Sequence, residues 1–214
     1  MLFVRHASVI DTLLPTVLVS ARFGTRLRFV LKRELLVDPC LDVAGSRLPN
    51  VFVRRSGEDD RDIEAVAELA RGLGPKDGVL IFPEGTRFTP DKQRRALQRL
   101  REKSPELYEL ARSLTHVLPP RLGGALALLE SATEADLVFF AHVGLDGFAS
   151  VTDIFRYALS RRVVRVKLWR IPRQAVPDSR QARTEFLLKE WQKLDDWVAA
   201  ELGVPHAATS KRSA

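Results

Sequence analysis

The chain has 214 residues, of which 45% are hydrophobic and 29% charged, enough for one substantial core and short for two. A single cysteine, Cys40, excludes an internal disulfide and a multi-thiolate metal centre, and no run of about 18 apolar residues exists to span a bilayer. The formal net charge of +7 and a pI near 10.0 select negatively charged partners: nucleic acid, an anionic membrane surface, or a phosphorylated or CoA-like substrate. The N-terminus lacks the apolar core of a secretory signal, so the expected setting is reduced and cytoplasmic, with any bilayer contact peripheral.

In chain order, "LFV" is a short apolar run ending at Arg5 and His6. Residues 11–21, "DTLLPTVLVSA", predict a mostly buried helix despite Pro15. "RLRFVLKREL" predicts a strand leading into a turn, and "NVFVRR" a second strand. From Asp60, the spacing of Ile63, Val66, Ala67, Ala70 and Leu73 predicts a helix stopped by Gly74 and Pro75. "GVLIFPEG" is a continuous apolar run closed by Pro83, the pattern of a strand covered on both faces with its functional end at the C-terminal edge.

"DKQRRALQRLREKSPELYELARSL" is helical in composition and basic in its first half; "LPPRLGGALALLES" predicts a stiff turn and then a helix. "DLVFFAHVGL" predicts another buried strand, and "RRVVRVKLWRIP" one that is wet on the face carrying Arg165 and Lys167. Leu187, Trp191, Leu194, Val198 and Leu202 mark an amphipathic helix, and residues 205–214 read as a disordered tail. Strands alternating with helices predict α/β layering in one domain over residues 1–204.

Two constellations carry chemistry. "HASVID" sets Asp11 five residues after His6. On one regular helix the two side chains point about 140° apart. They meet if His6 lies in the turn before a helix and Asp11 within it. An aspartate on one ring nitrogen fixes the tautomer and leaves the other nitrogen free to take a proton. An ordinary helix-capping turn also fits this pair taken alone.

In "FPEGTRF", Gly85 permits close backbone approach and the N–H groups around it suit an anion. Arg87 has the fork that grips a phosphate, while Glu84 either orients that arginine or holds a substrate hydroxyl. A solvated strand-to-helix turn with a surface ion pair is the alternative reading of this block.

"HASVID", "RFVLKREL", "NVFVRR", "FPEGTRFT" and "HVLPPR" follow one another in the order and approximate spacing of the glycerolipid acyltransferases, and the chain resembles the 1-acylglycerol-3-phosphate acyltransferase (PlsC-type) family from His6 almost to Leu202. Its later part is similar to the lysophospholipid and lysocardiolipin-like branch. The resemblance implies an α/β fold with a mixed, largely parallel sheet flanked by helices. It also implies acyl transfer from a thioester, acyl-CoA or acyl carrier protein, to a hydroxyl of a lysophospholipid such as lysophosphatidic acid. Those thioesters are co-substrates, and neither a resident cofactor nor a metal is implied.

By resemblance, His6 is the general base and Asp11 its orienting partner. Lys32, Arg55 and Arg87 match positions linked to the phosphate-bearing acceptor, and Glu84, Gly85 and Thr86 match the rest of that block. Pro119 matches a proline assigned to the acyl-donor side. The sequence departs from the family pattern at Arg5, where asparagine is common, and at Arg54, where an acid is frequent. It begins shortly before His6, so the N-terminal membrane-anchoring helices usual in the family are expected to be absent.

The basic stretch around Arg94, Arg95, Arg99 and Arg101 suits an anionic membrane surface or equally a solvated helix face. Two rivals remain at this stage. "LFVRHAS" also looks like the opening of the histidine phosphatases, with His142 as a second histidine; the other rival is an inactive anionic-lipid-binding relative. A nucleic-acid reader is not expected, because the 7% aromatic content falls in runs that read as core.

Overall fold

The computed structural model describes residues 1–37, 39–54, 60–147 and 163–203. Six strands form one sheet: β1 (Leu2–Val4), β2 (Arg26–Lys32), β3 (Val51–Val53), β4 (Asp77–Ile81), β5 (Leu137–Val143) and β6 (Arg165–Ile171), in the spatial order β3-β2-β4-β1-β5-β6. All neighbours pair in parallel except β5 and β6, which are antiparallel. The central strands are apolar without alternation because both faces are covered. Val79 and Leu80 of β4 and Val4 of β1 are fully buried.

The helices are α1 (Pro39–Arg47), α2 (Asp60–Leu69), α3 (Pro90–Lys103), α4 (Pro105–Ala111), α5 (Leu122–Ser131) and α6 (Arg180–Leu202). Right-handed crossovers decide which face each covers. The chain leaving β1 passes over one face, where Leu14, Leu18 and Val19 pack on Leu2, Val4, Leu80 and Phe140. The chain leaving β4 passes over the other, where Leu97, Leu114 and Leu126 join Phe3, Val79, Ile81 and Phe139 in the larger core. Because β1 and β4 are neighbours whose exits diverge to opposite faces, a crevice opens between their C-terminal ends, where ligands of open α/β sheets bind.

Several local expectations change in the fold. Residues 11–21 make a 3-10 turn (Ile10–Thr12) and a π-helical turn (Thr16–Ala21) separated by Pro15, which lacks an N–H for a continuous helix. They are half-buried at most along the π turn, with Leu13 and Val17 exposed, because only one side of this short segment meets the sheet. The basic helical stretch is two helices, broken where Ser104 precedes Pro105 and is forced out of the helical region. The helix from Asp60 ends at Leu69. The Leu69 carbonyl, together with those of Arg71 and Gly72, accepts from the Arg28 guanidinium, which ends the helix before Gly74.

In β6 the residues on the face of Arg165 and Lys167 continue into Trp169 and Ile171, which pack into the larger core; Leu168 on the opposite face is 42% exposed. Arg165 and Lys167 themselves are exposed as expected, with Val166 packed on the smaller core, and the covered face changes only at Trp169, which donates its indole N–H to Glu190 on α6. Helix α1, which carries no clear periodicity, lies over β3 with Gly45 against the Phe52 ring. Among the described residues no helix is long and apolar enough to cross a membrane. Residues 205–214 and Arg55 lie outside the described residues.

Phe139 is stacked between Phe3 and Trp169, with ring centroids 5.3 and 5.4 Å away, and is fully buried. Replacing it with alanine opens a cavity that three elements cannot close by small shifts. Phe139→Ala is expected to lower stability by about 3–5 kcal/mol. The check is the midpoint of urea unfolding followed by tryptophan fluorescence.

Candidate active site

The crevice between β1 and β4 is where the two sequence constellations meet. His6 follows β1 directly, and its main chain is clamped to the loop after β4. Its N–H donates to Glu84 Oε1 at 2.7 Å, and its carbonyl accepts from the Phe88 N–H at 2.8 Å. The imidazole packs against the Phe82 ring, centroids 4.6 Å apart, and keeps 14% of its side-chain surface open. Asp11 is reached through the turn predicted from the sequence, with His6 before the 3-10 segment and Asp11 within it.

Asp11 is fully buried. Its Oδ2 accepts from the N–H groups of Ala7 and Ser8, each at 2.7 Å, and Oδ1 faces His6 Nδ1 at 3.2 Å. Burial alone would raise its pKa, yet hydrogen bonds from His142 and His6 hold the carboxyl well below the usual carboxylate range. An ionised Asp11 accepts the proton of His6 Nδ1. Nε2 is then unprotonated and faces away from the aspartate, the requirement for a base.

Glu84 sits in the opposite electrostatic state. Burial pushes its carboxyl up to about 8, against the pull of the His6 and Leu118 N–H groups and of Arg5. Oε1 accepts from His6 and Oε2 from the Leu118 N–H at 2.9 Å, so the side chain bridges two loops. It lies 2% exposed beneath the crevice, tied to main chain, rather than at its open rim. The two carboxyls near His6 are thereby separated in function: Asp11 carries charge and Glu84 carries structure.

Gly85 adopts φ +65, a left-handed value that suits glycine. A Cβ there would stand 2.7 Å from Arg121 Nε, so the absence of a side chain lets the Arg121 stem cross the turn. The Arg121 N–H donates to Pro83 O at 2.8 Å, fixing that crossing. Thr86 and Arg87 are half-buried in the same loop, where the Lys92 ammonium donates to Thr86 Oγ1 at 3.1 Å and to the Arg87 carbonyl at 3.0 Å. Thr89 caps α3 through the Lys92 N–H, with Pro90 in the first turn.

Lys32 ends β2 at the same C-terminal edge of the sheet and is half-buried. Pro119 is buried beside Leu118, whose carbonyl accepts the Trp191 indole N–H at 2.9 Å. Thus His6, Asp11, Glu84, Gly85, Thr86 and Arg87 lie on the adjoining loops after β1 and β4, joined by the His6–Glu84 and Phe88–His6 hydrogen bonds; Pro119 follows the Leu118 that Glu84 holds, and Lys32 stands two strands from β1. No group of three metal-ligating side chains occurs among the described residues.

Sequence reasoning missed the residues that hold this arrangement. Arg5 is 1% exposed and donates to His142 O, His116 O and the Asp146 carboxylate. Asp195 on α6 accepts from the N–H groups of Thr115 and His116 at 2.9 and 2.6 Å. Asp195 was marked in the sequence only as an acid four residues past Trp191, on the apolar stripe. The histidine-phosphatase reading loses its footing here, since both Arg5 and His142 are sealed in the interior and both terminal nitrogens of the Arg5 guanidinium are engaged by protein oxygens.

The acyltransferase family model matches residues 2–131, more than half of the chain and all of this crevice's first and second walls. The chain belongs to the acyltransferase family. Nothing among curated proteins or solved structures matches it. The family establishes acyl transfer as the activity class of this domain, and the fold expected from the resemblance is the one observed: a single α/β domain on a mixed, mostly parallel sheet. The more specific lysocardiolipin-like branch is not distinguished by the match.

Glu84 gives a pH signature in this acyltransferase. Its folded pKa of about 8 exceeds the ordinary 4.5, so its contribution to stability is full below 4.5 and is lost as pH rises through about 8. Glutamine offers one acceptor where two N–H groups need one each. Glu84→Gln is expected to cost roughly 1–3 kcal/mol at acidic pH and to flatten the fall of stability between acidic and alkaline pH. Urea unfolding of both proteins across that range measures it.

Proposed function

We propose that the protein moves a fatty acyl group from a thioester donor, acyl-CoA or acyl carrier protein, to a free hydroxyl of a lysophospholipid such as lysophosphatidic acid. The observation that carries this reading is the partly open His6 ring held on one nitrogen by a buried, ionised Asp11, with the loop of Arg87 tied to it through the Phe88 N–H on the His6 carbonyl. His6 Nε2 takes the proton of the acceptor hydroxyl as its oxygen attacks the thioester carbonyl. The tetrahedral intermediate expels the thiolate, and the proton on Nε2 passes to that sulfur. The acceptor is itself the nucleophile, so no acyl-enzyme forms.

Arg87 supplies the charge for the acceptor phosphate, with Lys32 on the same sheet edge as a second cation. The Lys92 contacts keep the turn bearing Thr86 and Arg87 in one shape. Pro119 and its buried neighbours shape the wall on the acyl-donor side. The exposed side chains of Arg94, Arg95, Arg99 and Arg101 on α3 offer a cationic face for an anionic membrane surface that presents the acceptor.

His6→Ala is expected to reduce transfer by about 10²- to 10⁴-fold, the usual worth of a general base. Arg87→Ala is expected to raise KM for the acceptor roughly ten- to hundred-fold with less effect on donor KM. The assay is thiol release with and without lysophosphatidic acid. Release that ignores the lysolipid, or full activity of purified His6→Ala, overturns the proposal.

Reversing the signs of Arg94, Arg95 and Arg99 together is expected to abolish salt-sensitive binding to vesicles containing anionic lipid. Sedimentation with such vesicles reads this out, and binding indifferent to both salt and lipid charge removes the membrane role of α3.

A further inference from the structure

His142 lies on β5, behind the catalytic pair and fully buried. Its Nε2 stands 3.0 Å from the Arg5 carbonyl and 3.5 Å from Asp11 Oδ2. The other ring nitrogen, Nδ1, is buried and has no hydrogen-bond partner among the described residues. A proton on Nδ1 would be an unpaired donor in a dry interior, which is costly, so the ring is held as the neutral tautomer protonated on Nε2. That N–H is shared between the Arg5 carbonyl and the far oxygen of Asp11. Asp11 therefore stands between two imidazoles: one on the crevice side that exchanges protons, and one on the core side that only donates.

We infer that His142 is a positioning residue for the acyl-transfer base. His6 Nδ1 lies 3.2 Å from Asp11 Oδ1 and 3.4 Å from Oδ2, and the His142 Nε2–H, with the Ala7 and Ser8 N–H groups, loads Oδ2 so that Oδ1 remains the nearer acceptor for His6. By drawing on the same carboxylate it also weakens the hold of Asp11 on a protonated His6. The charged and titratable groups around the three residues are few. The Arg5 guanidinium donates to the carbonyl of His142 and is neutralised by Asp146. Glu84 meets the main chain of His6 and is kept uncharged by burial over most of the working pH range. The interaction of His142 with Asp11 is therefore not masked by a second net charge at that spot.

This inference rests on His6 acting as the base, so the experiment separates the two. NMR of the ring nitrogens in the intact, substrate-free protein gives the tautomer of His142 and the titration midpoint of His6 without reference to turnover. The expected result is His142 protonated on Nε2 alone. In His142→Phe, which removes the donor, the His6 midpoint is expected to rise by roughly half a unit or more. The acid limb of the kcat/KM profile should move with it and acceptor KM should stay unchanged. His142→Gln, whose amide N–H can occupy the place of Nε2, should restore both.

If His142→Phe does not fold, the tautomer of His142 in the wild-type protein and the His6 midpoint in His142→Leu, a smaller apolar replacement that also removes the donor, still decide the matter. A His142 that carries its proton on Nδ1 overturns the inference, as does a His6 midpoint indifferent to the Phe change. A midpoint that shifts in a protein whose His6→Ala variant is fully active would instead retain the coupling and overturn the role of His6.

Discussion

The Glu84 carboxyl, with one oxygen on the His6 N–H and the other on the Leu118 N–H, is the contact on which the rest of the site depends. Neither N–H can be satisfied by the sheet, because both lie just past the ends of regular structure. A buried donor without an acceptor costs enough to open a loop. One side chain solves the problem for two loops, and in doing so it fixes the distance between them. The crevice has a defined width because this bridge has a defined length.

The electrostatics follow from the same burial. Two carboxyls approach His6, and if both were ionised in a dry interior they would repel each other and hold the imidazole too firmly in its charged form. The interior resolves this by giving Asp11 several donors and Glu84 main-chain donors only, so that their pKa values are driven in opposite directions. One charge then faces one imidazole. The topology places that pair where it is useful: β1 and β4 are neighbours whose exits turn to opposite faces, and the opening between them needs no further device.

Support for the site extends beyond the segment that the family model matches. Residues 2–131 supply the histidine, the aspartate and the turn after β4. His142 and Asp146 on and after β5, and Trp191 and Asp195 on α6, then hold those parts from behind. The path is continuous: α6 pins the loop at Thr115, His116 and Leu118, that loop meets Glu84, and Glu84 meets His6. Each link is a hydrogen bond accepted by a buried oxygen of Asp195, Leu118 or Glu84, so a displacement of α6 is felt at His6 without any contact between them.

The sequence by itself determined the class of fold, the place of most strands, and the pairing of His6 with Asp11. Those features rest on local rules: continuous apolar runs for strands covered on both faces, and the five-residue spacing that works only across a turn. The resemblance of the motifs brought Glu84, Gly85, Thr86 and Arg87 to one loop, where they are found. Other features are long-range and left no local mark. Glu84 is buried as a bridge because Leu118 arrives from a distant segment, and Arg5 is sealed inside because Asp146 and two carbonyls converge on it. The face of β6 that is covered was decided by α6, since a half-wet strand carries apolar residues on both sides and only packing chooses between them. His142 read as a rival catalytic group in sequence and is a buried donor in the fold, because a side chain's role depends on which atoms surround it and burial is a property of the assembled chain.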